Sequence, residues 1–387
     1  MRTATFALFF GVMTILTVLT HIYLYRRLFA DPNWPEQAKR FGLMFVALMA
    51  VLLVTGAIAP RFVPRTIGGL LAGVGFAWMG SLLYLGLVLV SADLLKLLNF
   101  GVEAATGTDL LAGRRELLAR GAAVTAGALT SAVAVPAVRS ALGDVDRREL
   151  EVKLSRLPPA LSGLKIVQLS DVHVGPLIGE KFMKTIVDKV NAEKPDLVVI
   201  TGDLVDGSVR ELSRHTAPLG RIESRYGKFF VTGNHEYYSG VEPWLAELRR
   251  IGIRTLRNER VSIGDAASFD LAGIDDQRSQ GMAPGHGPNV RNIVAGRDPE
   301  RELVLLAHQP RSIGYAEEAG AGLQLSGHTH GGQLWPASAF VRFTTPYVAG
   351  LYHHDPTTQI YVSRGTGFWG PPMRLGAPAE ITVLHLV

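Results

Sequence analysis

Aspartate, histidine and asparagine side chains recur in five short clusters in the second half of this 387-residue sequence. The clusters are Asp171-Val172-His173, Gly202-Asp203-Leu204-Val205-Asp206, Gly233-Asn234-His235-Glu236, the single His308, and Gly327-His328-Thr329-His330-Gly331-Gly332-Gln333. Carboxylate, amide and imidazole ligands together suit Mn, Fe or Zn, whereas a Ca site uses oxygen ligands only. One such cluster would say little, but five in succession predict a metal centre.

The elements that must position these clusters are strands. Each cluster follows a short apolar run that we predict to be a strand: 164–169, 196–200, 228–231, 301–307 and 323–325. Amphipathic helices are predicted over 180–193 and 241–251, and closing strands over 361–363 and 381–386. Alternating strands and helices indicate an α/β layered fold, in which ligand sites lie at strand ends.

The N-terminal third has a different character. Residues 4–25, 42–59 and 67–90 are almost entirely apolar, and each approaches the roughly 20 residues that cross a bilayer as a helix. A fourth segment, 121–138, is less apolar and follows Arg114-Arg115. It reads as a fourth spanning helix or as a twin-arginine-like export signal. We therefore expect a membrane domain over 1–145 and a second domain over 150–387.

Charges near the apolar segments predict the orientation. Basic residues are frequent after the first and third segments and sparse between the second and third. The positive-inside rule then leaves the second domain outside the cytoplasm if there are four spans. The formal net charge of +5 fits this topology, and no nucleic-acid partner is expected. The chain has no cysteine, which excludes disulfides and cysteine-ligated metals.

The order DxH, GDxxD, GNHE, lone His, GHTH resembles the calcineurin-like metallophosphoesterases, from about Leu164 to the C-terminus. The stretches 233–240, 326–333 and 363–367, with Arg374, look most like the membrane-attached bacterial branch. The resemblance implies transmembrane helices followed by an α/β metallophosphoesterase domain, a layered β-sandwich flanked by helices. It also implies a hydrolase that uses two divalent metal ions (Mn, Zn or Fe) and a metal-bridging hydroxide.

The resemblance assigns roles to the motif residues. It implies that one metal is bound by Asp171, His173 and His330, that the other is bound by Asn234, His308 and His328, and that Asp203 bridges the two. His235 would be the general acid, and Asp206 would either accept a hydrogen bond from His235 or cap its loop. Arg364 and Arg374 would clamp phosphate oxygens or form surface salt bridges.

The substrate is less defined by the sequence. We expect a phosphodiester or pyrophosphate bond of a membrane-proximal or lipid-linked compound. The alternatives are a phosphomonoesterase for small periplasmic substrates and a non-catalytic scaffold, and retention of every expected ligand disfavours the scaffold. The apolar helices are expected to anchor the protein in a bacterial inner or plasma membrane. They carry almost no ionisable residues of the kind that a transport path requires.

Overall fold

The computed structural model describes residues 2–108 and 113–387, with backbone only for residues 2–7, 9 and 10. The chain forms two compact units. The first comprises Met1–Val138 and Gly370–Pro372, and the second comprises Arg139–Trp369 and Met373–Val387.

Long helices make up the first unit: α1 (Arg2–Tyr25), α2 (Glu36–Ile58), α3 (Arg65–Thr106) and α4 (Arg115–Leu142), the last of which continues into the second unit. Three helical segments, Glu36–Arg61, Arg65–Thr106 and Arg115–Leu142, are long and apolar enough to cross a bilayer. Helix α1 coincides with the predicted span 4–25. Part of its side chains lies outside the described residues, so this span stays a prediction, as does the total number of spans.

Helix α3 is longer than predicted. The apolar pattern ends near Val90, but the helix continues to Thr106 and stops at Gly107, which has a positive φ of 70°. The 42 residues of α3 correspond to about 63 Å at 1.5 Å per residue, about twice the thickness of a bilayer's hydrocarbon core. Only part of α3 can therefore lie in the hydrocarbon region.

The second unit contains two six-stranded sheets. The strands are β1 (Asp146–Val152), β2 (Leu164–Leu169), β3 (Leu197–Thr201), β4 (Lys228–Val231), β5 (Arg254–Thr255), β6 (Glu259–Gly264), β7 (Ser268–Gly273), β8 (Leu303–Leu306), β9 (Leu323–Ser326), β10 (Gly350–His353), β11 (Gln359–Val362) and β12 (Glu380–Leu386). The first sheet has the order β1-β12-β2-β3-β4-β5, and the second has the order β10-β11-β9-β8-β7-β6.

Successive side chains of each strand point to opposite faces of its sheet, so each sheet contributes to two apolar cores. Ile166 and Val199 of the first sheet pack with Leu271 and Val304 of the second in one apolar core between the sheets. The opposite face of each sheet packs in a separate core with helices. The helices in these two cores are α5 (Glu180–Ala192), α6 (Val209–Thr216), α8 (Val241–Arg250), α9 (Val290–Val294) and α10 (Ile313–Ala319). The second unit also contains α7 (Asn234–Ser239) and α11 (Ala337–Thr344). The predicted sandwich flanked by helices is thus confirmed.

Candidate metal centre

The five polar clusters all lie at the carboxyl ends of parallel strands. Asp171, Asp203 and Asn234 follow β2, β3 and β4 of the first sheet within three residues. His308 and His328 follow β8 and β9 of the second sheet two residues after each strand ends. Since the two sheets pack face to face, these strand ends form one edge of the sandwich and bring distant parts of the chain together.

The backbone at this edge is unusual. Five of the expected ligands have positive φ angles between 51° and 72°: Asp171, His173, Asp203, His328 and His330. This region is uncommon for residues other than glycine, and such conformations concentrate at functional sites. Neighbouring glycines permit the close approach. A Cβ at Gly327 would lie 2.1 Å from Asp171 Oδ2, and a Cβ at Gly233 would lie 2.2 Å from Asp203 Oδ1.

The first group of possible ligands is Asp171, His173 and His330. The Nε2 atoms of the two histidines are 3.1 Å apart, and His330 Nε2 lies 3.5 Å from Asp171 Oδ1. Asp171 is held by the hydroxyl of Ser170 and by the backbone N–H of His328, which both donate to its carboxylate. All three ligands are buried.

The second group is Asp203, His308 and His328. His308 Nε2 lies 3.1 Å from both His328 Nδ1 and Asp203 Oδ2. The other nitrogen of His308, Nδ1, donates to the carbonyl of Thr201 at 2.8 Å, which leaves Nε2 to face the group. Asn234 Oδ1 is buried and has no hydrogen-bond donor among the described residues. A buried carbonyl oxygen without a hydrogen bond, in the turn directly after Gly233, fits a metal ligand.

Asp203 lies between the two groups. Its Oδ2 atom is 3.1 Å from His308 Nε2 and 4.0 Å from His173 Nε2, so one carboxylate oxygen faces both histidine pairs. Its Oδ1 atom accepts a hydrogen bond from the backbone N–H of His235 at 2.9 Å. Asp203 is 2% exposed. This is the position that a bridging ligand requires.

Asp206 connects His173 to His235. Its carboxylate accepts from His235 Nδ1 at 2.5 Å and from His173 Nδ1 at 3.1 Å. The geometry matches the expected contact with His235 and adds a second one, which orients Nε2 of His173 toward His330. The three residues also form a third group that could hold an ion. The His235 ring is flanked by Tyr238 and Trp369.

The charges around the histidines separate their pKa values. Burial lowers the pKa of His173, but Asp206, Asp203 and Asp171 outweigh it and raise the pKa to about 9. The pKa of His308 is likewise raised, against burial, mainly by Asp203. Burial and the neighbouring His308 lower the pKa of His328 to about 3, and burial with His173 also lowers that of His330. Each pair thus combines one imidazole with a raised pKa and one with a lowered pKa.

Glu236 is a residue of the site whose role the sequence did not predict. Its buried carboxylate accepts hydrogen bonds from the backbone N–H groups of Asp203, Leu204 and Gly233 at 3.0, 2.8 and 2.7 Å. It therefore joins the turn after β3 to the turn after β4. The GNHE motif contains this residue, but only the fold shows that its partners come from another cluster.

The two arginines differ in their surroundings. Arg374 is 1% exposed, and its guanidinium donates to the carbonyl oxygens of Gly367, Ala377 and Arg364. Arg374 Nη2 also lies 3.3 Å from His330 Nδ1. The phosphate clamp at Arg374 stays a prediction. Arg364 is less buried, and its Nε lies 2.5 Å from Glu380. Its phosphate-binding role stays a prediction.

Comparisons with known proteins agree with this geometry. The family model for calcineurin-like phosphoesterases matches residues 164–332. A Danio rerio protein named transmembrane protein with metallophosphoesterase domain is 34% identical over 407 residues, which covers 99% of this chain and 91% of that protein. A Bos taurus protein of the same name is 44% identical over 248 residues, which covers 61% of this chain.

A Helicobacter pylori relative named uncharacterized metallophosphoesterase is 42% identical over 228 residues, which covers 58% of this chain and 60% of the relative. The match to the Bos taurus protein likewise spans only 56% of that protein's length. The Danio rerio match extends over both the helical unit and the sandwich. The chain therefore belongs to the calcineurin-like metallophosphoesterase family.

Proposed function

We propose that this protein hydrolyses a phosphodiester or pyrophosphate bond with two divalent metal ions, at the edge of the sandwich where the five clusters meet. The observation that carries the proposal is the position of Asp203, because its Oδ2 atom faces both histidine pairs within 4.0 Å. A centre with one metal ion would need only one of the two histidine pairs that flank this carboxylate.

The contacts and the order of the motifs support two ligand sets. Asp171, His173 and His330 would hold one ion, and Asn234, His308 and His328 would hold the other, with Asp203 common to both. Mixed oxygen and nitrogen donors suit Mn, Zn or Fe. When bound, two such ions supply Lewis acidity that activates water and stabilises the charge on the reacting phosphate.

His235 is the proposed general acid. Its Nδ1 atom is occupied by Asp206 at 2.5 Å, so Nε2 is the nitrogen free to give a proton to the leaving oxygen. Because the imidazole is 14% exposed, substrate can approach it. Asp206 positions the ring, as carboxylates do for catalytic histidines.

The proposed setting is the outer face of a bacterial inner or plasma membrane. Three apolar helical segments support membrane attachment. Attachment keeps the centre near the bilayer, which favours membrane-proximal or lipid-linked phosphoesters over dilute soluble ones. A phosphomonoesterase for small periplasmic substrates is the alternative.

The test is an assay of the full chain in detergent after chelation and reloading with Mn, Zn or Fe separately. The substrates are a nitrophenyl diester, an alkyl diester, a pyrophosphate diester and a nitrophenyl monoester. Metal-dependent cleavage of diesters or pyrophosphates at higher kcat/KM than monoesters is expected. Preference for the monoester would favour the alternative, and lack of turnover with every metal and substrate would contradict the proposal.

A further inference from the structure

A cavity of about 250 Å³ lies beside the His330 side of the metal centre. Its lining includes Gly331, the residue directly after His330, and the cationic side chains of Arg148, Arg342 and Arg364. The cavity is smaller than a pocket for a whole drug-sized ligand, about 300–1,000 Å³, and has room for one compact polar group.

The three arginines come from separate elements. Arg148 lies on β1, opposite Thr382 of β12, Arg342 lies on α11, and Arg364 follows β11. A run of charges along one helix or loop is usually a solvated surface. Convergence of residues that are far apart in sequence on a single cavity requires the fold, and it indicates a binding site for an anion.

The side chains that line the cavity carry a net positive charge. Glu380 is the acidic residue in its lining, and both of its oxygens are engaged: Oε2 contacts Arg364 Nε, and Oε1 accepts from the hydroxyl of Tyr361 at 2.7 Å. Glu380 thus neutralises Arg364 and fixes its side chain. Within the described part of the chain, Arg148 and Arg342 form no ion pair, so the cavity carries two uncompensated positive charges.

The cavity is in contact with the motif that contains His328 and His330. A Cβ at Gly331 would lie 2.9 Å from Arg364 Cγ, so the arginine stem passes directly over this glycine. The hydroxyl of Thr329, between His328 and His330, donates to the carbonyl of Val348, which also lines the cavity. The cavity therefore adjoins the motif that supplies His328 and His330.

We propose that this cavity is a second anion subsite, which binds a phosphate group next to the scissile one. The inference rests on the proposed function and narrows its substrate class to pyrophosphates and to phosphodiesters that carry an adjacent phosphate. Guanidinium groups match the geometry of phosphate oxygens, and two or three of them bind one phosphate through charge-assisted hydrogen bonds.

The test separates binding from turnover. Methylenediphosphonate carries two phosphonates and cannot be hydrolysed, whereas methylphosphonate carries one. Calorimetry with the manganese-loaded full chain in detergent would measure both affinities for wild type, Arg148→Gln, Arg342→Gln and the double variant. Arg291→Gln, an exposed position on α9 outside the cavity, is the matched control.

The double variant should weaken methylenediphosphonate binding by about ten- to a hundredfold, as expected for lost charge-assisted hydrogen bonds. Methylphosphonate binding and the control should change less than about twofold, a few tenths of a kcal/mol. Equal losses for both ligands, or an equal loss in Arg291→Gln, would overturn the subsite. Wild type that binds the diphosphonate through these arginines but cleaves no phosphoester would leave the subsite standing and contradict the proposed function.

Two further assays decide whether the phosphate belongs to a soluble or to a lipid-linked substrate. A soluble nucleoside diphosphate sugar and a polyprenyl diphosphate in micelles would be compared as substrates of wild type and the double variant. In either arm KM should rise in the double variant while kcat changes little, because the arginines bind away from the reacting atoms. The arm with the larger wild-type kcat/KM identifies a soluble or a lipid source, and a fall in kcat alone in both arms would contradict the subsite.

Discussion

Asp203 is the carboxylate on which both metal positions depend, since its Oδ2 atom faces His308 and His173. Asp203→Ala should therefore lose both ions and nearly all activity. Metal analysis of the purified variant measures the ion content, and Asp188→Ala, which removes an exposed carboxylate of α5, should retain it. Asp203→Asn preserves the side-chain volume in case the alanine variant folds poorly. Two metals per chain in folded Asp203→Ala would contradict the bridging role.

His235 is predicted to act on the leaving group without binding metal. His235→Ala should keep both ions, and its turnover of an alkyl diester should fall by roughly 10²–10⁴, the usual contribution of a positioned acid. A nitrophenolate leaves readily without a proton, so the loss on nitrophenyl esters should be smaller. Steady-state kinetics on both classes tests this, with His353→Ala, an exposed histidine, as control. Equal losses on the two classes would instead assign His235 to phosphate binding.

The raised pKa values of two histidines predict that metal ions and protons compete for the same imidazole nitrogens. Asp206 and other carboxylates outweigh burial and raise the pKa of His173 to about 9. The pKa of His308 is also raised. Metal requires neutral imidazole, so binding of both ions near pH 7 should release about two protons. Affinity should thus fall as pH is lowered below 9. Calorimetry in buffers of different ionisation enthalpy counts the protons, and release of none would contradict this protonation pattern.

At the scale of elements, Glu236 joins the turns after β3 and β4 through three backbone N–H groups. Glu236→Ala leaves these buried donors unsatisfied, at about 1–3 kcal/mol each. If about 3 kcal/mol were lost in all, the unfolding midpoint should fall by roughly 6–12 °C. Thermal unfolding of the full chain in detergent tests this. Glu318→Ala, at an exposed site, should have little effect, and an unchanged midpoint for Glu236→Ala would reject the joining role.

Strands that are buried on both faces were predictable from the sequence. The run 164–169 is β2 and 228–231 is β4 with the same bounds, because continuous apolar runs are typical of central strands. The edge strand β1 was not predicted, because six of its seven residues are at least partly exposed and most of them are charged. The hairpin of β6 and β7 was missed for a related reason, because β6 is mostly half-buried and mixes charged with apolar residues.

The composition of the site was predictable, but its pairings were not. The motif order gave the residues that line the strand ends, and the fold places them together. Sequence spacing holds no information on the contact of Asp206 with His173, or on the bonds of Glu236 across two turns, because both depend on how strands pack side by side. The enclosure of Arg374 by backbone carbonyls also depends on long-range packing and is not visible in the motif.

At the scale of the whole molecule, basic residues gather at one end of the helical unit. Arg27 pairs with Asp93 at 3.0 Å, which links the end of α1 to α3 just beyond its apolar stretch. Arg120, near the start of α4, donates to the carbonyl of Pro32 in the turn between α1 and α2. The basic residues near this end are Arg26, Arg27, Lys39, Arg40, Lys96, Arg114, Arg115 and Arg120. The opposite end, between α2 and α3, has Arg61 and Arg65.

The positive-inside rule therefore predicts that the basic end faces the cytoplasm. Helix α4 starts at that end, so a spanning α4 carries the sandwich to the other side. A reporter that is active only in the periplasm, fused after Val387, should then be active, and a cytoplasmic reporter at the same place should be silent. The same pair of reporters fused after Gly107, at the end of α3, is the matched control and should give the reverse result. A silent periplasmic reporter with an active cytoplasmic one after Val387 would place the metal centre in the cytoplasm and overturn the orientation.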